Sequence, residues 1–154
     1  MYQIINMTDH LGGVEVGINY YHSKWGNEKN YRYLHDAITH STNAQTGLPR
    51  FYLLMKGAEI VGCYGLVTND FISRHDLYPW LAGLYVNENE RGQALGNMML
   101  SHGEVEAKKA GYSSLYLVTD HDGYYEKYGW KRIEDGYEIS GASARIYMKS
   151  LKVV

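Results

Sequence analysis

One cysteine, two prolines and no long apolar run are what this chain of 154 residues has least of, and each scarcity excludes something. With Cys63 alone, no intramolecular disulfide can form, and a cysteine-based zinc site is not expected. The longest apolar stretches, such as Ile60 to Val67, run to about eight residues, far below the roughly 20 of a membrane-spanning helix. Met1 to His10 lacks a basic start followed by an apolar block, so no secretory signal and no membrane partner are expected, and the chain reads as soluble and cytoplasmic. Charge of one sign is scarce too: the net charge is −2 and the pI about 6.4, so no global basic field draws in nucleic acid. The seven histidines include no His-x-x-x-His pair on one helix and no helical Glu-x-x-His, so no metal is expected. Repeats, low-complexity tracts and Pro/Ser-rich linkers are absent as well. Residues 1–154 therefore read as one domain, large enough to bury about two thirds of its unfolded surface.

What the chain has in plenty is tyrosine, 16 residues, and glycine, 17. Tyrosine joins a large apolar body to a polar tip, which suits a wet cleft, although half-buried strands use it equally well. Val14, Ile18, Tyr21 and Trp25 recur at helical spacing, and Gly26 stops that helix. Asn27 can cap the next helix, marked by Tyr31, Leu34 and Ile38 and running to about His40. Ser41 to Pro49 reads as a loop. Arg50–Lys56 and Glu59–Thr68 are strand-like and join at Gly57 as an antiparallel hairpin. After a polar link, Asn69 to Tyr78, Pro79 opens a third strand, Trp80–Val86. Leu95, Met98, Met99, His102 and Val105 then predict a helix from about Arg91 to Ala110. Leu115–Thr119 is a short buried strand, and Tyr124–Tyr128 a helical turn closed by Gly129. Trp130–Glu134 and Ala144–Lys149 are the last strands. Strands interleaved with helices, plus hairpins at both ends, predict an α/β fold of the α+β kind with a mixed, mostly antiparallel sheet.

Chemistry concentrates at the strand-to-helix junction. Unpaired N–H groups and the positive end of the helix dipole favour a phosphate there, glycines let it approach, and Arg91 adds a planar cationic fork. A simple tight turn would show the same glycines. The segment is neither a Rossmann fingerprint nor a P-loop, having too few glycines for one and no Gly-Lys-Ser/Thr for the other. Arg91-x-x-Ala94-x-Gly96 resembles the Gln/Arg-x-x-Gly-x-Gly/Ala motif of the GNAT superfamily of acetyl-CoA-dependent N-acetyltransferases. Leu84-Tyr85-Val86 resembles that family's fourth strand, and Tyr124 to Trp130 its Tyr-x-x-x-Gly-Phe/Trp segment.

The resemblance implies acetyl-CoA as cosubstrate, no metal, and a fourth strand that splays from the fifth, with a bulge near Gly83. It implies that Arg91, Gly92, Gln93, Ala94, Leu95, Gly96 and Asn97 hold the pyrophosphate, while Leu84, Tyr85 and Val86 pair with the pantetheine through their backbone. Tyr125, four residues before Gly129, matches the family's general acid. The acceptor implied is a primary amine of a small molecule or a protein, attacked directly in a ternary complex. Trp25, overhanging the acceptor cleft, and Asp70, Arg74 and His75 in the polar link are the substrate-binding candidates. Asp70, His75, Asp76, Asp120 and His121 are candidate bases, with ordered water as the alternative. Two departures stand out. Ala94 replaces the usual glycine, where helical placement favours it but its methyl faces the pyrophosphate. Val118, not asparagine, stands seven residues before Tyr125, and the Asp120-His121-Asp122 turn replaces part of the family's helix. A non-catalytic acyl-CoA sensor is the second reading. An aromatic-basic RNA surface from Tyr20 to Tyr33 is a third; Glu28 and Asp36 interrupt it, and the helical spacing puts Tyr21, Trp25 and Tyr31 toward the core. The final two strands leave an edge at which a homodimer could form.

Overall fold

The computed structural model describes residues 1–41 and 47–151, so most of the Ser41–Pro49 loop lies outside the described residues. Its elements run β1 (Tyr2–Asn6), α1 (Val14–Trp25), α2 (Tyr31–Thr39), β2 (Arg50–Lys56), β3 (Glu59–Val67), β4 (Trp80–Val86), α3 (Leu95–Lys109), β5 (Ser114–Thr119), β6 (Lys131–Tyr137) and β7 (Ser143–Ser150). They build one seven-stranded sheet in the order β1-β2-β3-β4-β5-β7-β6, antiparallel except for the parallel pair β4–β5. The expected mixed α/β architecture is the one found.

The central strands read as unbroken apolar runs because both sheet faces are covered. From β2, Phe51, Leu53 and Met55 pack beneath α1 and α2 with Ile18, Tyr21 and Ile38. The alternate residues Tyr52 and Leu54 enter the other core, with Met99 and Leu100 of α3. On that side a buried polar network ties α3 to the sheet. Arg50 Nη1 donates to Glu106 Oε1 at 3.0 Å, and the Tyr64 hydroxyl lies 2.6 Å from His102 Nδ1. Burial lowers the His102 pKa.

Five sequence expectations are corrected. Strand β1 is an addition, paired through all five residues with β2. Helix α3 begins at Leu95 rather than near Arg91, because Arg91 is extended and Ala94 is left-handed (φ 59°). Ala94 is thus the residue before the helix and not inside it, which removes the argument that helical placement favours alanine. Val105 is 51% exposed; the buried stripe of α3 runs through Leu95, Met99, Leu100, Gly103 and Ala107 instead. Asn27 does not cap α2: its side chain closes a turn on the Lys29 and Asn30 amides, and α2 starts four residues later. Trp25 and Tyr31, expected toward the core with Tyr21, are exposed, while Tyr21 is buried.

Candidate active site

Strands β4 and β5 meet at a single register pair, Trp80 opposite Tyr116, and the Tyr116 amide donates to the Pro79 carbonyl at 3.0 Å. Beyond it they diverge. Against β3, Ala82 faces Gly65 and Tyr85 faces Cys63, so Gly83 and Leu84 together stand opposite Tyr64. That is a β-bulge, and Gly83 takes the positive φ of 63° that it needs. The side chains of α1 close on this bulge. Trp25 Nε1 donates to the Gly83 carbonyl at 2.9 Å, and the Tyr21 hydroxyl lies where a Gly83 Cβ would be.

Two cavities open along the seam, and a third adjoins the second of them. The first, about 600 Å³, is a groove lined by Leu84, Tyr85 and Val86 of β4 and by Arg91, Gly92, Ala94, Leu95 and Gly96. The second, about 760 Å³, lies between β4, β5, α1, α2 and the link after β3. A side chamber of about 190 Å³ extends it toward Ala37, Pro49 and Phe51. The first two share Leu84, His121 and Tyr125.

The groove has the chemistry of an anion cradle. No side chain caps α3, and its first intrahelical bond is donated by Met98 to the Ala94 carbonyl, so the amides before Met98 have no helical acceptor. Arg91 is braced by its Nε donating to the Val86 carbonyl at 2.9 Å and by the Tyr85 ring 5.3 Å away, leaving the rest of its fork for a ligand. A Cβ at Gly92 would meet open space. These residues fit a diphosphate followed by a linear amide chain along β4. Gln93 and Asn97 do not line the groove; Gln93 turns to the Tyr2 hydroxyl and the Glu90 carbonyl.

Tyr125 opens a 3₁₀ turn closed by Gly129 in the left-handed region, which aims the phenol at the junction of the two larger cavities. Its ring packs among Tyr124, Trp130 and Tyr147. Burial pushes its pKa up, and the neighbouring Thr119 side chain partly offsets this.

Of the substrate-side candidates, Trp25 and Asp70 line the second cavity and Arg74 and His75 do not. Arg74 is spent on Asp76, at 2.7 Å, and on Glu134 across the surface. Of the candidate bases, Asp70, Asp120 and His121 reach the cavity and His75 and Asp76 stay outside it. Asp70 sits in a tight turn that Asn69 clamps by accepting from the Ile72 amide (3.1 Å) and donating to its carbonyl (3.0 Å). Burial pushes the Asp70 carboxyl up to about 7. The aromatic walls Tyr21, Tyr33 and Phe71 were not singled out in the sequence as site residues. Phe71 alone carried a signal, as the first large apolar residue of a polar link. Its left-handed φ of 55° is a strained choice for a bulky side chain.

Residues 17–130 match the family model for the acetyltransferase (GNAT) family. A stretch of 70 residues, 44% of the chain, is 30% identical to the uncharacterized N-acetyltransferase YitI of Bacillus subtilis; it spans about half of that protein, 47%. Among solved structures, a GNAT family acetyltransferase from Elizabethkingia anophelis with acetyl-CoA bound superposes with a TM-score of 0.65 at 18% identity, over 97% of both chains. An aminoglycoside 6'-N-acetyltransferase complexed with coenzyme A gives a TM-score of 0.72 at 14% identity, over 99% of this chain and 98% of that one. Both show a shared fold. Among the described residues no helix is long and apolar enough to cross a membrane.

Proposed function

The chain belongs to the GNAT acetyltransferase family, and from that premise we propose that it transfers the acetyl group of acetyl-CoA to a primary amine in a ternary complex. The observation that carries this reading is the wall shared by the two larger cavities: Leu84, His121 and Tyr125 border both, so a donor and an acceptor lying in them would meet at one place. Acetyl-CoA supplies an activated thioester; the residues supply grip, polarity and protons.

Arg91 and the amides opening α3 hold the diphosphate, with Gly92 and Gly96 leaving room for it. The backbone of Leu84 to Val86 aligns the amide chain as an added strand would. At the bulge, an amide without a register partner faces the charge that develops on the thioester oxygen, and a fixed donor there lowers the barrier without reorganisation. The attacking nitrogen must first lose a proton, since an alkylammonium resembles lysine with a pKa near ~10. His121, at the junction of both cavities, takes that proton directly or through water. Tyr125 then returns one to the departing thiolate. Its raised pKa keeps it protonated across the neutral range, as an acid must be.

The test is thiol release from acetyl-CoA across a panel of small amines and amine-bearing peptides, with calorimetry of CoA binding alongside. Turnover on any amine supports the enzyme; CoA binding with no turnover on the whole panel returns the sensor reading. No CoA binding at millimolar concentration refutes both.

A further inference from the structure

Asp70 differs from every other charged group around the acceptor cavity. Lys29 and Asp120 line the same cavity but are exposed to solvent, whereas Asp70 is largely enclosed. Its carboxylate has no hydrogen-bonding or ion-pairing partner among the described residues, and burial alone shifts it, with no neighbouring cation pulling it back. The Asn69 clamp and the left-handed Phe71 hold it in this position at a cost in backbone strain. A partly dehydrated carboxylate that the fold holds without a counter-charge is a place for a cation from outside.

The order of the chambers decides which cation. The groove and the acceptor cavity meet at Leu84, His121 and Tyr125; the acceptor cavity and its side chamber meet at Asp70, together with Tyr21, Tyr33, Leu34, Phe71 and Ala82. No residue is common to the groove and the side chamber. Asp70 therefore stands at the end of the cavity away from the groove. Along β4 the two junctions are marked by different residues, Ala82 and Leu84, on either side of the Gly83 bulge. A nitrogen held at Asp70 is therefore not the one presented at the junction with the groove. Around the Asp70 end, the rings of Tyr21, Tyr33 and Phe71, with Trp25 further along the cavity, offer a lining that suits methylenes and favours a nearby cation.

Resting on the acetyltransferase reading of this cavity, we propose that the acceptor is a linear diamine or polyamine: Asp70 binds its distal ammonium, and its other end presents the nitrogen to be acetylated. Asp70 is a specificity-determining residue here, not the base.

The experiment measures binding and needs no turnover. Cadaverine and hexylamine, which differ by one ammonium in place of a terminal methyl, are titrated calorimetrically at pH 8.5 into the CoA-loaded protein and into its Asp70→Asn variant. Circular dichroism checks that the variant is folded. We expect the wild type to bind cadaverine at least tenfold more tightly than hexylamine and Asp70→Asn to bring the two within threefold. A wild-type preference below tenfold, or one that survives in Asp70→Asn, overturns the proposal. A failure of the acetyltransferase reading shows elsewhere, as absent thiol release from acetyl-CoA with every amine.

Discussion

Replacing Asp70 by asparagine should make the protein more stable, and by an amount that depends on pH. The carboxyl is raised from 3.8 to about 7 by burial. A shift of about three units corresponds to ~4 kcal/mol at 1.36 kcal/mol per unit, which is a ceiling. Asp70 keeps part of its surface toward a water-accessible cavity, and screening there brings the expected effect to ~1–2 kcal/mol. The direction follows from proton binding. Between pH 3.8 and about 7 the folded state holds the Asp70 proton more tightly than the unfolded chain does. Wild-type stability from this group is thus complete below pH 3.8 and is lost as pH rises through about 7. Asparagine, being neutral, escapes that loss. The Tyr21 phenol on α1, which lines the same cavity, does not confuse the window, because burial pushes it further up and away from it. Urea unfolding of both proteins from pH 4 to pH 8.5 measures the difference. It should be near zero at the acid end, grow steadily from about pH 4 to about pH 7 and level off above that. A gain that is flat with pH, or a variant less stable than its parent at pH 8, would refute the reasoning.

Four further outcomes are expected. Tyr125→Phe should reduce single-turnover acetyl transfer by roughly 10² to 10⁴ while leaving CoA affinity within threefold, and the parent's alkaline limb should lie above the ordinary phenol range because burial raises Tyr125; a rate within threefold of the parent would demote the residue to a cavity wall. Ala94→Gly should stabilise the protein by up to ~1 kcal/mol by relieving a left-handed alanine, without weakening CoA binding, as read by urea unfolding and calorimetry. Gly96→Leu should weaken CoA binding at least tenfold, ~1.4 kcal/mol, since a Cβ there meets only the Tyr124 hydroxyl at 3.5 Å but a longer side chain fills the groove. Gly83→Ala should cost both stability and acetyl transfer, because its methyl would collide with the Tyr21 hydroxyl at a backbone angle alanine resists; unchanged melting would show that the bulge relaxes freely.

Elements with strong periodicity or sharp punctuation were legible in the sequence: the hairpin at Gly57, the strand after Pro79, the turn closed by Gly129. Strand β1 was not, because Tyr2–Asn6 is short and its burial comes from pairing with β2, a contact 50 residues away in sequence. The phase of α3 is not legible at Val105, where spacing alone cannot distinguish the flank of an apolar stripe from its centre, and small residues such as Gly103 and Ala107 occupy that centre. Arg91, Ala94 and Gly96 could be placed because a strand-to-helix junction creates its own electrostatics. Asp70 could be picked out, but not separated from Arg74 and His75: all three share one polar link, and only the Asn69 clamp turns one inward while Asp76 and Glu134 draw another outward. Tyr33 and Phe71 are aromatic residues whose value depends on each other, with ring centroids 5.5 Å apart across two elements.

The seam between β4 and β5 also makes the sheet two plates rather than one. A single register pair, Trp80 with Tyr116, joins β1–β4 to β5–β7, and α3 lies against both sides as a splint. Backbone pairing transmits load well within each plate and poorly across the joint, so partial opening should begin there. Amide hydrogen exchange should then be faster along the seam-facing part of β5 than in β2, which is paired on both edges. A molecule bonded along β4 and packed against Tyr125 would act as mortar in that joint. The protein would then breathe as two bodies when empty and as one when loaded.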